Sequence, residues 1–238
     1  NKASEVQAAG ATFCLLGPED TQIKSSKPLI SIVAVRTGCG KSQTTRRVVE
    51  ILREAGKKVV VIRHPMPYGD LTKQVVQRFA DYSDLDKHNC TIEEREEYEP
   101  HIDKGAVVYA GVDYEKIIRE AEKEADFVLW DGGNTDFCVY KSDITFVVAD
   151  PHRAGHELKY YPGETNFRLA EYIIVNKEDS ADKEGINTVV ENAKKFNPNA
   201  EIIHADSPIS VKEPEKIKGK RVLVVEDGPT LTHGEMKY

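Results

Sequence analysis

An α/β protein with a doubly wound, mostly parallel sheet is the fold this sequence predicts, and three features predict it. Short apolar, β-branched runs alternate with stretches of helical periodicity along most of the chain, which implies right-handed βαβ units. The first full run, beginning at Leu29, breaks at Gly38 and Gly40 and passes directly into a helical pattern. Charged or amide residues follow each later run: Arg63-His64, Asp131-Gly-Gly-Asn134, Asp150-Pro-His-Arg153, Asn176-Lys-Glu-Asp179, Asp206-Ser207 and Glu226-Asp227. Ligands of such sheets bind beyond the carboxyl ends of the strands, so a site is expected there.

Taken in order, residues 9–18 read as a strand closed by a Gly-Pro turn, and the polar stretch to Pro28 as a connector. Residues 1–28 are therefore assigned to the exit strand and connector of a truncated N-terminal domain, and 29–238 to one nucleotide- and substrate-binding domain. A strand over 29–35 leads to a helix from Lys41 to about Ala55, with Gly56 closing it. Val59–Arg63 is continuously apolar up to its last residue, as a strand covered on both faces should be. Asp70 is placed to cap a helix carrying Leu71, Val75, Val76 and Phe79. Residues 81–105, with the acid-rich run Glu93–Glu99, read as a solvated surface or a lid. A strand over 106–110, a helix over 113–124 and a strand over 127–130 continue the alternation. Strands at 144–149, 172–175 and 201–204 and helices at 165–171 and 186–196 follow, with a last strand candidate at 222–225.

Composition narrows the function. The 238 residues carry 33 Lys+Arg against 40 Asp+Glu, a formal charge of -7. Nucleic acid and anionic membrane surfaces are therefore not expected partners, and any anion site must be a local basic pocket. The four cysteines, Cys14, Cys39, Cys90 and Cys138, form no C-x-x-C pair. That spacing argues against a zinc site or a disulfide framework and fits a soluble protein of a reducing cytoplasm. The high content of Glu and Lys is compatible with a thermophilic source.

Ser31-Ile-Val-Ala-Val-Arg-Thr-Gly-Cys-Gly-Lys-Ser42 has the form of a phosphate cradle. Gly38 and Gly40 permit the backbone conformations that turn successive N–H groups onto an anion, and the helix opening at Lys41 points its positive end there. The nucleotide-binding candidates are Arg36, Thr37, Gly38, Cys39, Gly40, Lys41, Ser42 and Gln43, with Lys41 on the β/γ-phosphates and Ser42 on magnesium. Val35 stands where the first glycine of the usual P-loop pattern belongs. Asp131, at the end of an apolar run, has the form of the carboxylate that holds the magnesium shell opposite Ser42. Lys41, Arg36 and Asp131 are the catalytic candidates.

Asn176-Lys177-Glu178-Asp179 matches the N-K-x-D pattern that reads guanine in GTPases, which adds Asn176, Lys177 and Asp179 to the nucleotide set and keeps GTP beside ATP as co-substrate. The competing reading is a helix cap at Asp179. Arg63, His64, Asn134, His152, Arg153 and His156 form a second polar group suited to a small polyanion, since an arginine fork grips phosphate or carboxylate in two bonds. His88 and His101 are assigned structural roles. Arg36 lies five residues before Lys41, where the deviant Walker A pattern of ParA/Mrp-type ATPases has its signature lysine. The chain resembles that SIMIBI-like branch of the P-loop NTPases, and the likeness implies an Arg36 contact to a γ-phosphate, its own or that of a partner in a homodimer.

Longer blocks carry a more specific likeness. They are Ala34–Arg47, Arg63-His-Pro-Met-Pro-Tyr-Gly-Asp70, Glu93–Pro100, Trp130-Asp-Gly-Gly-Asn134, Ala149-Asp-Pro-His-Arg153, Tyr161–Asn166 and Glu226–Glu235. In these the sequence resembles the archaeal cyclic 2,3-diphosphoglycerate synthetases. The resemblance implies ATP- and magnesium-dependent closure of an intramolecular phosphoanhydride in 2,3-diphosphoglycerate, with release of ADP and phosphate. It also implies a longer polypeptide with an N-terminal domain. The competing classes are a GTPase switch or metallocentre-assembly protein of the same branch, and a non-catalytic phosphate-binding domain.

Overall fold

The computed structural model describes residues 2–66, 68–133, 136–211 and 213–223. Eight strands form its main sheet: β1 (Leu29–Ala34), β2 (Val59–Arg63), β3 (Gln77–Phe79), β4 (Val107–Ala110), β5 (Phe127–Asp131), β6 (Ile144–Ala149), β7 (Tyr172–Val175) and β8 (Glu201–His204). Their spatial order is β8-β7-β6-β1-β5-β2-β4-β3, and every neighbouring pair is parallel except β4 with β3. From β1 the chain builds toward one edge, returns to insert β5, and then crosses to build β6, β7 and β8 on the other side. The reversal beside β1 opens a crevice at the carboxyl ends of the strands.

The helices are α1 (Lys41–Glu54), α2 (Tyr82–Lys87), α3 (Ile92–Asp103), α4 (Tyr114–Ala121), α5 (Gly163–Leu169) and α6 (Lys183–Phe196). Strands β1 and β2 are buried along their whole length, as parallel strands with crossovers on both faces must be. Helix α4 starts where Asp113 accepts the Lys116 amide at 3.0 Å and buries Ile117, Ile118 and Ala121. Helix α6 starts where Asp182 accepts the Gly185 amide at 2.6 Å and buries Val189 and Ala193. Trp130, Leu129, Ile32 and Ile62 are fully buried in the centre of the sheet.

Four expectations need correction. Residues 9–17 form no strand; a helix covers Lys2–Ala8 and Phe13, Leu15 and Leu16 are exposed. An extended run becomes a strand only where a neighbour completes its ladder, and here the nearest pairing is the two-residue match of Ile23–Lys24 with Tyr140–Lys141. The helix expected over 71–79 is a single 3-10 turn, Leu71–Lys73, capped by Asp70 through the Thr72 amide at 3.0 Å. After it the chain enters β3, where Gln77 and Phe79 are buried and Arg78 is not, a period of two rather than 3.6. Residues 81–105 are not an irregular surface but the packed pair α2 and α3. Residues 222–223 form no strand, and the remainder of that candidate, with Glu226–Glu235, lies outside the described residues.

Acidic as it is, α3 is anchored by a capping box. Thr91 accepts the Glu94 amide at 3.3 Å and Glu94 accepts the Thr91 amide at 2.8 Å. Tyr98 is buried and stacks on Phe79 at 4.8 Å between ring centres, in a small cluster with Leu85, Val108 and Ala110. No helix among the described residues is long and apolar enough to cross a membrane. Leu129→Ala, in the middle of β5, is expected to lower unfolding free energy by about 2–5 kcal/mol through the cavity it leaves, measured by denaturant unfolding.

Candidate nucleotide and substrate site

The loop after β1 is held from behind by the residues that end β7. Gly38 and Gly40 have φ of 87° and 102°, values that favour glycine. The Gly40 Cα lies directly against the Asn176 amide, leaving no room for a side chain. Asn176 Nδ2 donates to the Cys39 carbonyl at 2.8 Å, and Lys177 Nζ donates to the Gly38 carbonyl at 2.6 Å. Lys177 also pairs with buried Asp150 at 2.9 Å, and Asp150 accepts from Arg153 at 3.1 Å. With these carbonyls tied down, the opposite faces of the peptide units, the N–H groups, are presented to the cleft. Cys39 lies beneath the loop in the core, its thiol pushed up to about 12 by burial. Val35 is buried too, and Gly163 at the start of α5 packs against its carbonyl.

Asp131 ends β5 beside Arg63, its register partner at the end of β2. One carboxylate oxygen is held by Lys41 and by Thr45, the latter at 3.2 Å. The other faces Arg63 at 3.0 Å and His101 Nε2 at 3.3 Å. Burial alone would raise this carboxyl; the charges of Arg63 and Lys41, with the His101 hydrogen bond, hold it well below the usual carboxylate range. Arg63 also pairs with Glu97 of α3, and despite its burial these carboxylates raise its guanidinium.

Arg36 lies beside the cradle, with its guanidinium 2.6 Å from His156 Nδ1, near the Tyr160 ring and donating to the Thr37 carbonyl at 3.3 Å. A guanidinium only donates, so Nδ1 is the acceptor. His64 places Nδ1 2.8 Å from the Tyr114 hydroxyl and Nε2 2.8 Å from Asp136. Burial pushes the Tyr114 phenol up to about 12.

These groups border one cleft of about 1470 Å³. It gathers Arg36, Thr37, Gly38, Gly40, Lys41, Ser42 and Gln43 from the cradle, with Asp131 and Lys177. Arg63, His64, His152, Arg153 and His156 line it as well. Cys39 and Asn176 stand behind the loop rather than on the cleft, and Asp179 is turned to the Ser207 amide at 3.0 Å. Asn134 lies outside the described residues. The fold is that of a P-loop NTPase, with Gly-x-Gly-Lys-Ser bridging a central parallel strand and its helix.

Over 236 residues, 99% of its length, the chain is 69% identical to the arginine synthetase ArcE of Thermococcus kodakarensis, of which it covers 53%. It is similar to a synthetase. The cyclic 2,3-diphosphoglycerate synthetase of Thermococcus sibiricus is 32% identical over 116 residues, 48% of this chain and 26% of that protein. The chain thus spans about half the length of the first relative and about a quarter of the second. No family model matches it. The hydrogenase maturation factor HypB of Archaeoglobus fulgidus superposes with a TM-score of 0.49 at 18% identity, over 76% of this chain and 81% of that one.

Two residues escaped the sequence reading. His101, assigned a structural role, is fully buried and touches Asp131; its signal is the Thr91-x-x-Glu94 cap, which starts a helix whose 94, 97, 98 and 101 positions share a face. Arg46, one turn beyond Ser42, also lines the cleft. For magnesium the donor set fits at Ser42, whose hydroxyl has no protein partner among the described residues. Asp131 is already encircled by Lys41, Arg63 and His101, a donor set that would disfavour its direct ligation of a metal.

Asp131→Asn is expected to cost about 3–5 kcal/mol at neutral pH by uncovering buried cations. The folded carboxyl titrates well below its ordinary 3.8. Its stabilisation is therefore present above that ordinary value and lost as pH falls through the folded one. Urea unfolding of both proteins from pH 7 into acid should show the gap narrowing.

Proposed function

We propose that this chain is the nucleotide-binding part of an ATP-dependent synthetase that phosphorylates an oxygen of a small acceptor and then lets a second nucleophile displace the phosphate. The observation that carries this reading is the cleft itself: a stapled P-loop with Lys41 drawn onto Asp131, continuous with further polar side chains that a bare hydrolase has no use for. Lys41 and Arg36 neutralise charge on the transferring phosphoryl group, and Ser42 would hold a magnesium ion that would supply further charge neutralisation.

The product favoured is arginine, because the match to the arginine synthetase, 69% identical over 236 residues, extends over nearly the whole chain. A guanidinium is made from a ureido group by replacing its oxygen with nitrogen, and that oxygen is a poor leaving group. γ-Phosphoryl transfer forms the new P–O bond as the bond to ADP breaks; attack of ammonia on the ureido carbon then expels phosphate, which leaves as hydrogen phosphate with the proton that the ammonia nitrogen gives up. The acceptor in this scheme is the ureido amino acid citrulline.

Closure of cyclic 2,3-diphosphoglycerate is the second reading, favoured by the motif blocks and the 32% identity over 116 residues. Against it, the basic residues that would grip a polyanion already face carboxylates, Arg63 with Glu97 and Asp131, Arg153 and Lys177 with Asp150. Glu96 and Glu97 line the same cleft, which disfavours a substrate with two phosphates.

The full-length protein with magnesium, ATP, citrulline and ammonia is expected to release arginine, ADP and phosphate in equal amounts, with ATP outcompeting GTP. Anhydride resonances in phosphorus NMR after offering 2,3-diphosphoglycerate would instead establish the second reading. Nucleotide hydrolysis indifferent to both acceptors would identify a switch and overturn both. Lys41→Ala is expected to lower kcat by about 10²–10³-fold.

A further inference from the structure

We propose that the side of the cleft between α1 and α3 is the subsite for an α-amino acid, with Arg46 taking its carboxylate and Glu96 its ammonium group. The inference rests on the synthetase reading and adds the residues that select its acceptor.

Apart from Glu54 and Glu93, which are exposed and do not line the cleft, the charges on these two helices are otherwise accounted for within the protein. Glu50 of α1 pairs with Lys104 and, at 3.2 Å, with Arg47. On α3, Arg95 pairs with Asp86 and with Glu99, the latter at 3.2 Å, while Glu97 pairs with Arg63 and Glu94 closes the helix cap. Arg46 and Glu96 are the exceptions: neither has a hydrogen-bond or ion-pair partner among the described residues, and both line the cleft. The Arg46 Nε is buried with no acceptor, and leaving a buried donor unmade costs free energy that a ligand recovers.

Their signs and positions define what fits. Arg46 follows Ser42 by four residues, so both lie on one face of α1 and a carboxylate on Arg46 sits beside the nucleotide's phosphate end. Its fork matches a carboxylate in two parallel bonds. Glu96, on the facing helix, adds an anion that does not close onto Arg46. A cation and an anion without partners, lining one cleft, suit a zwitterion, which is what the head of an α-amino acid is. A polyanion satisfies Arg46 but is repelled by Glu96.

The test is initial-rate kinetics of the full-length protein with ATP and ammonia. Citrulline is compared with N-carbamoylputrescine, which keeps the ureido group and lacks the carboxylate. Wild type is expected to prefer citrulline. Arg46→Gln should raise the KM for citrulline about 10- to 100-fold, leave the KM for ATP within about twofold, and erase the preference over the carboxylate-free analogue. Arg46→Lys should recover part of the loss, and Glu96→Gln should also raise the KM for citrulline. The proposal is overturned if Arg46→Gln keeps the citrulline preference, if it moves the KM for ATP instead, or if Glu96→Gln tightens acceptor binding as a polyanion site would. A wild type that forms no arginine overturns the synthetase reading and this subsite with it, and that control separates the two failures.

Discussion

A carboxylate surrounded by cations at the end of a buried strand is the interaction on which the rest of this site depends. Asp131 joins the cradle helix through Lys41 and Thr45, strand β2 through Arg63, and helix α3 through His101. Removing a carboxylate from water is expensive, and the surrounding donors offset that cost only as a complete set. The groups thereby fix one another: Arg63 is held between Asp131 and Glu97, and Lys41 is kept at the floor of the cleft where phosphates would lie.

A second constraint works on the backbone rather than on a charge. The cradle is a loop, and a loop left to itself samples many conformations at a cost in affinity for any ligand that must order it. Asn176 and Lys177 remove that freedom by binding the carbonyls of Cys39 and Gly38. Lys177 adopts a left-handed conformation, φ 61°, to do so, and buried Asp150 holds its ammonium. The Asn-Lys pair thus acts on the shape of the phosphate site, while Asp179, turned to the Ser207 amide, takes no part in it.

Sequence carried the central sheet well because its information is local. Continuous apolar runs such as Val59–Arg63 and Tyr172–Val175 have few conformational options, and Gly-x-Gly-Lys-Ser specifies a backbone path by itself. It failed where tertiary contacts decide. Residues 77–79 pair with β4 because Phe79 finds a cluster there, and helix α3 hides His101 in a run of acids whose burial no periodicity announces. Site residues at strand ends were legible from position alone. Those acting from helices, Arg46 and His101, were not, because a polar residue in a helix reads as surface until its neighbours are known.

Helix α3 carries Glu96 and Glu97 to the cleft and His101 to the buried side of Asp131. One helix therefore borders both the Lys41–Asp131 pair and the side of the cleft proposed to take the acceptor. Were the two ligands coupled through this helix, thermodynamic linkage would make the effect mutual: the factor by which nucleotide changes acceptor affinity would equal the factor by which acceptor changes nucleotide affinity.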